Sequence, residues 1–235
     1  MTDKKILSNP KEILKKSINF IASGQFKLAS NILKEGQENF PQEFLFTNLL
    51  AQISLRNNHL YDGINLLKKS LEINKNQPLV LLDLGIALSL NNQLDEAIIF
   101  LDKSVELDPT NLKGFIRKAA TLKKLNRFNE SIDCYQKIID ISPDYIDAYI
   151  NKAELLSLSG KLEESLSTYR QILKIDSCNP TSYIRYGNLL NKLGKVDEAI
   201  SAYRKSIKIK PENSGAYSNL GYIYQKLGNY EEEIK

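Results

Sequence analysis

Apolar residues recur with helical spacing inside short blocks of this chain, and the blocks themselves repeat every 34 residues. Within a block they fall at i, i+3, i+4 and i+7, with no β-type alternation, so the pattern predicts helices from end to end. A glycine or asparagine interrupts each block at one fixed position: Gly24, Asn58, Asn92, Asn126, Gly160, Gly194 and Gly228. These residue types enter the left-handed backbone region at low cost, which predicts a sharp turn between two helices in every block. A large residue follows two positions after each turn: Phe26, Leu60, Leu94, Phe128, Leu162, Val196 and Tyr230. Another follows at nine, as Leu33, Leu67, Leu101, Tyr135, Tyr169 and Tyr203.

Small residues flank the turns. Seven positions before stand Ser17, Ala51, Gly85, Ala119, Ala153, Gly187 and Gly221. Five positions after stand Ala29, Gly63, Ala97, Ser131, Ser165 and Ala199, with Glu233 breaking the column. Two such columns predict close approach of the paired helix backbones. Pro41, Pro109, Pro143 and Pro211 mark the ends of second helices, and Asn111, Asn179 and Asn213 stand where the next helix needs a cap. One hairpin cannot bury its apolar face alone, so the units must stack.

The columns resemble those of the tetratricopeptide repeat (TPR) family. The similarity is closest at Tyr183, Tyr186-Gly187, Leu190, Leu193-Gly194, Ala199, Tyr203 and Pro211, and again at Tyr217, Leu220-Gly221, Tyr224 and Leu227-Gly228-Asn229-Tyr230. It spans about residues 10–235, in units starting near 10, 44, 78, 112, 146, 180 and 214, after a leader at 1–9. The first unit is the loosest, with Lys16 and Gly36 at columns that are usually apolar or packed. The resemblance implies an all-α fold: a right-handed α-solenoid of stacked helix-turn-helix units, six complete and most of a seventh. It also implies a scaffold that binds a protein partner as a peptide or helix in a concave groove, with no chemistry and no cofactor of its own. The alternative is a non-catalytic substrate-recognition arm of a larger glycosyltransferase or sulfotransferase. The chain stops about two turns into its last helix, at Glu231-Glu232-Glu233-Ile234-Lys235, which favours reading it as a fragment of something longer.

Composition narrows the partners. The 32 basic and 28 acidic residues are interspersed and leave a formal charge of +4, with no basic tail. A nucleic-acid interface would rest on Lys123-Lys124, Arg127 and Arg185, but acidic residues interrupt these and the tyrosines occupy packing columns. Cys134 and Cys178 lack metal or disulfide-framework spacing. No apolar run is long enough for a signal peptide or a span, so a cytoplasmic protein without a membrane segment is expected.

The candidate chemistry is thin. The acidic pairs Asp95-Glu96, Glu163-Glu164, Asp197-Glu198 and Glu231-Glu232 recur in the first turn of second helices, where negative charge suits the helix dipole. A catalytic pair would be differentiated rather than copied. His59, the one histidine, lacks partners for a metal site or a triad.

Residues left over from packing on the first helices are expected to meet a partner: Asn48, Gln52, Asp83, Arg117, Lys124, Asn151, Glu154, Arg185, Asn188, Asn219 and Tyr222. Their mix of amides and charges suits an extended peptide, whose backbone and side chains both need hydrogen bonds. The carboxylate clamp of chaperone-tail receptors is matched in part: Lys113 and Arg117 fit one element, while Asp83 stands where the clamp has an Asn. Asn188 and Asn219 fit the two Asn positions, with Ile184 in place of the cation. The asparagine ladder of O-GlcNAc transferase arms is similar at Asn151 and Asn219. Finally, Pro78 to Leu90 is apolar nearly all round, which signals burial on all sides. The TPR register instead turns Leu79, Leu82, Ile86 and Leu90 toward the groove, as a docking patch for an apolar helix or a second copy of the chain.

Overall fold

A computed structural model describes residues 9–228. Tyr230, Glu231-Glu232 and Glu233, and all of the leader except Asn9, lie outside the described residues. Among those described there are thirteen helices and no strand. They are α1 (Pro10–Ala22), α2 (Phe26–Asn39), α3 (Phe44–Arg56), α4 (Leu60–Ile73), α5 (Pro78–Leu90), α6 (Leu94–Leu107) and α7 (Leu112–Lys124) in one compact unit. The second unit holds α8 (Phe128–Ile141), α9 (Ile146–Leu158), α10 (Leu162–Ile175), α11 (Pro180–Lys192), α12 (Val196–Ile209) and α13 (Ser214–Leu227). Within each unit every helix packs on the next in sequence, and first helices also meet across a hairpin, as α1 with α3, α5 with α7, and α11 with α13. This is the packing order of an α-solenoid.

The turn column behaves as its residue types require. All seven positions have positive φ, from +58° at Asn126 to +81° at Gly160. The turn after α1 shows the mechanism: Gln25 N–H bonds to Phe20 C=O at 2.8 Å and Gly24 N–H to Ile21 C=O at 3.1 Å. These are the paired bonds of a Schellman cap, which satisfy the last carbonyls of the helix. The 2.8–2.9 Å bonds His59 to Ser54, Gln93 to Leu88, Lys161 to Leu156 and Lys195 to Leu190 repeat it.

The small columns let the helices close. Ser17, Ala51, Ala119 and Ala153, and opposite them Ala29, Ala97, Ser131, Ser165 and Ala199, are fully buried. Where glycine replaces them the neighbouring large residue fills the gap. A methyl at Gly85 would come within 2.6 Å of Leu101, and one at Gly187 within 2.7 Å of Tyr203. Small and large columns are thus two halves of one contact.

Capping follows the sequence with one correction. Asn111 accepts from Gly114 N–H at 3.1 Å, and Asn179 from Ser182 N–H at 3.0 Å. Asn213 does not cap α13 through its side chain; its Nδ2 donates to Ser206 Oγ at 3.0 Å. A buried hydroxyl at the end of the preceding helix captured that amide. The acidic pairs Asp95-Glu96, Glu163-Glu164 and Asp197-Glu198 do lie in first turns.

The apolar helix α5 is a core element. Val80, Leu81, Leu82, Leu84, Ala87 and Leu88 are all buried. Leu82, expected in the docking patch, is 1% exposed and is corrected to the core. The expected patch for a second copy therefore lacks its central residue. Leu79 and Leu90, at 65% and 69%, do face solvent, and Ile86 is half-buried.

Candidate functional site

The expected partner-facing residues divide by unit. In the first, Asn48 of α3 is spent on structure: its Nδ2 donates to Gln77 Oε1 at 2.8 Å. Gln77 in turn donates through Nε2 to Asn74 C=O at 2.7 Å and Ser70 Oγ at 3.0 Å, tying the end of α4 to the start of α5. Gln52, Arg117 and Lys124 are exposed. Asp83 is half-buried, and burial pushes its carboxyl above the usual range, a rise that nearby Lys113 opposes. None of them lines either of two clefts of this unit, one between α2, α3 and α4 and one between α4, α5 and α6.

In the second unit three of them converge. Glu154 from α9 and Arg185 and Asn188 from α11 line a cleft of about 340 Å³ with Ser157, Leu158, Tyr169, Leu189 and Lys192. The helices reach it because Ser165, in the small column of α10, is buried against α9, its Oγ donating to Ala153 C=O at 2.7 Å. On the second hairpin Gly187 accepts the Tyr203 ring in the same way.

The polar geometry is ordered. Arg185 forms an ion pair with Glu154, so neighbouring first helices are joined across the cleft. Asn188 Oδ1 accepts two bonds, from Tyr203 Oη at 2.7 Å and from Asn219 Nδ2 at 2.8 Å. With its oxygen doubly engaged the Asn188 amide is fixed in orientation, and its Nδ2 is left as the donor. Tyr203 is buried, and burial pushes its phenol up to about 12, so it holds its proton and donates at neutral pH. Asn151 is turned inward on its own helix, with Nδ2 donating to Asp147 C=O at 2.7 Å. Leu158, 61% exposed, gives the cleft an apolar wall beside these polar groups. Tyr222 is exposed at α13, with Lys226 Nζ 4.8 Å from its ring centroid.

Sequence reasoning missed four members of this cleft: Ser157, Leu158, Leu189 and Lys192. Two carried a usable signal. Leu158 and Lys192 stand in the same column as Leu90 and Lys124, one to three periods further along. Tyr169, a residue of the large packing column, also lines the cleft.

Other chemistry finds little support. No group of His, Cys, Asp and Glu able to hold a metal occurs among the described residues. His59 is exposed at the start of α4; Cys134 is buried and Cys178 exposed, and the two are not joined in a disulfide. Two cations of the nucleic-acid reading are neutralised by partners: Arg127 by Glu130, through two 2.6 Å hydrogen bonds, and Arg185 by Glu154. No described helix is long and apolar enough to cross a membrane.

Family models described as "TPR repeat" and "Tetratricopeptide repeat" match residues 187–228, 66–99, 134–167 and 112–145, together more than half of the chain. Comparison with curated proteins finds no match. Solved structures of similar fold include YrrB, described as a TPR protein with an unusual peptide-binding site. It is 17% identical, with 80% of this chain and 96% of that one covered and a TM-score of 0.66. MamA from Desulfovibrio magneticus RS-1 is 19% identical, with 73% and 97% covered and a TM-score of 0.62. A chain of the Naa15/Naa10 complex bound to HypK-THB is 15% identical with a TM-score of 0.69; 95% of this chain matches 35% of that one. At these identities the likeness is one of fold. The repeat models, the seven left-handed turns and the paired small columns agree. The chain belongs to the tetratricopeptide repeat family.

Proposed function

We propose that the protein is an interaction scaffold that binds an extended peptide segment in the groove formed by its first helices, with the cleft between α9 and α11 as the principal seat. One observation carries this reading: the Asn188 amide is pinned by Tyr203 and Asn219, so a single donor is pre-oriented beside an apolar wall. A fixed donor suits a backbone carbonyl, and preorganisation lowers the entropy lost on binding. The exposed side chains Lys192 on α11 and Tyr222 on α13 would then read side chains of the ligand. A cytoplasmic location accords with two cysteines that are not joined in a disulfide.

The test is equilibrium binding of short unstructured peptides to the full chain and to Asn188→Ala. The variant is expected to lose about 1–2 kcal/mol of peptide affinity, the worth of one well-made hydrogen bond plus its unpaired partner. Tyr203 is 1% exposed and loses its acceptor in this variant, so the melting midpoint should fall by a few degrees, and affinities are compared well below both midpoints. Unchanged affinity would remove the cleft from the binding surface.

A further inference from the structure

The charges around this cleft are lopsided. Neither α11 nor α13 contains a single Asp or Glu, yet they carry Arg185, Lys192 and Lys226. The two helices touch, and Lys226 stands one 34-residue period after Lys192, in the same register. The carboxylate that meets this group within the cleft is Glu154, contributed by α9, and Arg185 consumes it. Lys192 forms no ion pair among the described residues, although it lines the cleft directly. Lys226 lies over the Tyr222 ring, which supplies no countercharge. Beside Lys192 the wall is Leu158, a leucine left 61% exposed where burial would be favourable. On the donor side, Asn188 offers its Nδ2 and has its oxygen occupied twice over.

We infer that this cleft takes an acidic peptide segment in which a carboxylate side chain neighbours an apolar one, the carboxylate meeting Lys192 and the apolar group covering Leu158. The inference rests on the peptide-binding reading of the same cleft and adds the class of ligand. Its physical basis is complementarity of charge: an unpaired cation next to an apolar wall selects an anion carrying an apolar neighbour, and disfavours a cation by repulsion. A purely structural Lys192 would serve only the carbonyl end of α11 in its last turn. That role is indifferent to what a ligand carries, so ligand charge separates the two.

Three fluorescent probes decide it, measured by anisotropy on the full chain at low salt: Gly-Leu-Glu-Leu-Glu-Gly, the same peptide with Gln for Glu, and the same with Lys for Glu. The Glu probe should bind tightest and the Gln probe about two- to fivefold more weakly, the range of a rim-exposed ion pair. The Lys probe should bind weakest. The Glu preference should shrink as salt rises. Lys192→Glu should reverse the order of the Glu and Lys probes, and Lys226→Glu should shift it in the same direction. Lys192 is exposed, so the fold should be kept in that variant, and the charge reversal in the last turn of α11 should lower the melting midpoint by a few degrees at most. If the Glu and Gln probes bind alike and Asn188→Ala weakens both, the acidic class is overturned while the peptide cleft stands. If no probe binds, or Asn188→Ala leaves every probe unaffected, the cleft reading fails and this inference with it.

Discussion

The contact between Leu101 on α6 and Gly85 on α5 joins a large column to a small one, and a double-mutant cycle can weigh it. Leu101 is fully buried, and its Cγ lies 2.6 Å from where a Cβ on Gly85 would stand. Leu101→Ala removes about three carbons, worth about 2.4 kcal/mol in transfer alone at about 0.8 per methylene. The residual cavity adds to this, so a loss of about 2–5 kcal/mol is expected. Gly85→Ala alone gains about 1 kcal/mol of helix propensity but forces overpacking that costs about 1–3. In the Leu101→Ala background the same methyl enters the space that Leu101 vacates and keeps only a tight 3.2 Å contact with Ala97 C=O, so most of the overpacking cost is relieved. The double variant should therefore be more stable than Leu101→Ala alone, with a coupling of about 1–3 kcal/mol. The assay is urea unfolding followed by far-UV circular dichroism, with amide exchange in α5 and α6 as a local probe, because repeat arrays open in parts. Additivity within about 0.5 kcal/mol, or a Leu101→Ala variant that unfolds like wild type, would refute the packing argument.

Other consequences are simpler. Leu82→Asp should destabilise by about 3–5 kcal/mol, because it places an unpaired carboxylate at a site 1% exposed; intact melting would return Leu82 to the docking patch. At Asn92, with φ +60°, Val should cost about 1–2 kcal/mol and Gly should be neutral or better, as read from melting midpoints. Burial lifts the phenols of Tyr169 and Tyr203 to about 12, above the ordinary value of 10.0. The folded chain then keeps protons that the unfolded chain releases, so stability should be flat below pH 10 and fall between about 10 and 12. Replacing both with Phe should flatten that fall in an alkaline titration.

The hairpins were legible in the sequence because turn, small and large residues each have one low-energy use, and the period repeats the evidence for it. Gly24 and Asn58 must be left-handed to end a helix, and Ala51 or Gly85 must be small for two backbones to meet. Side chains whose fate depends on a distant partner were not legible. Asn48 looked free until Gln77, 29 residues on, was seen to hold it. Leu82 followed the groove register but was buried by its neighbours, because α5 is apolar on every face. The cleft itself was half visible. Glu154, Arg185 and Asn188 stood out as polar leftovers, whereas Leu158 and Lys192 sit in a column that mixes Arg, Leu and Lys and so suggests no single role. The engagement of Asn188 Oδ1 by Tyr203 depends on a rotamer and a hydroxyl direction, which a column alignment does not encode.

The central claim, that the α9–α11 cleft is where a peptide sits, is tested most directly by photo-cross-linking. A Gly-Leu-Glu-Leu-Glu-Gly probe with a photoreactive leucine analogue would be irradiated on the full chain, and the attachment site mapped by mass spectrometry. The account predicts cross-links near Leu158 and Leu189, competed by unlabelled probe and diminished in Asn188→Ala. Attachment concentrated on the exposed faces of α10 and α12, or scattered and not competed, would contradict it.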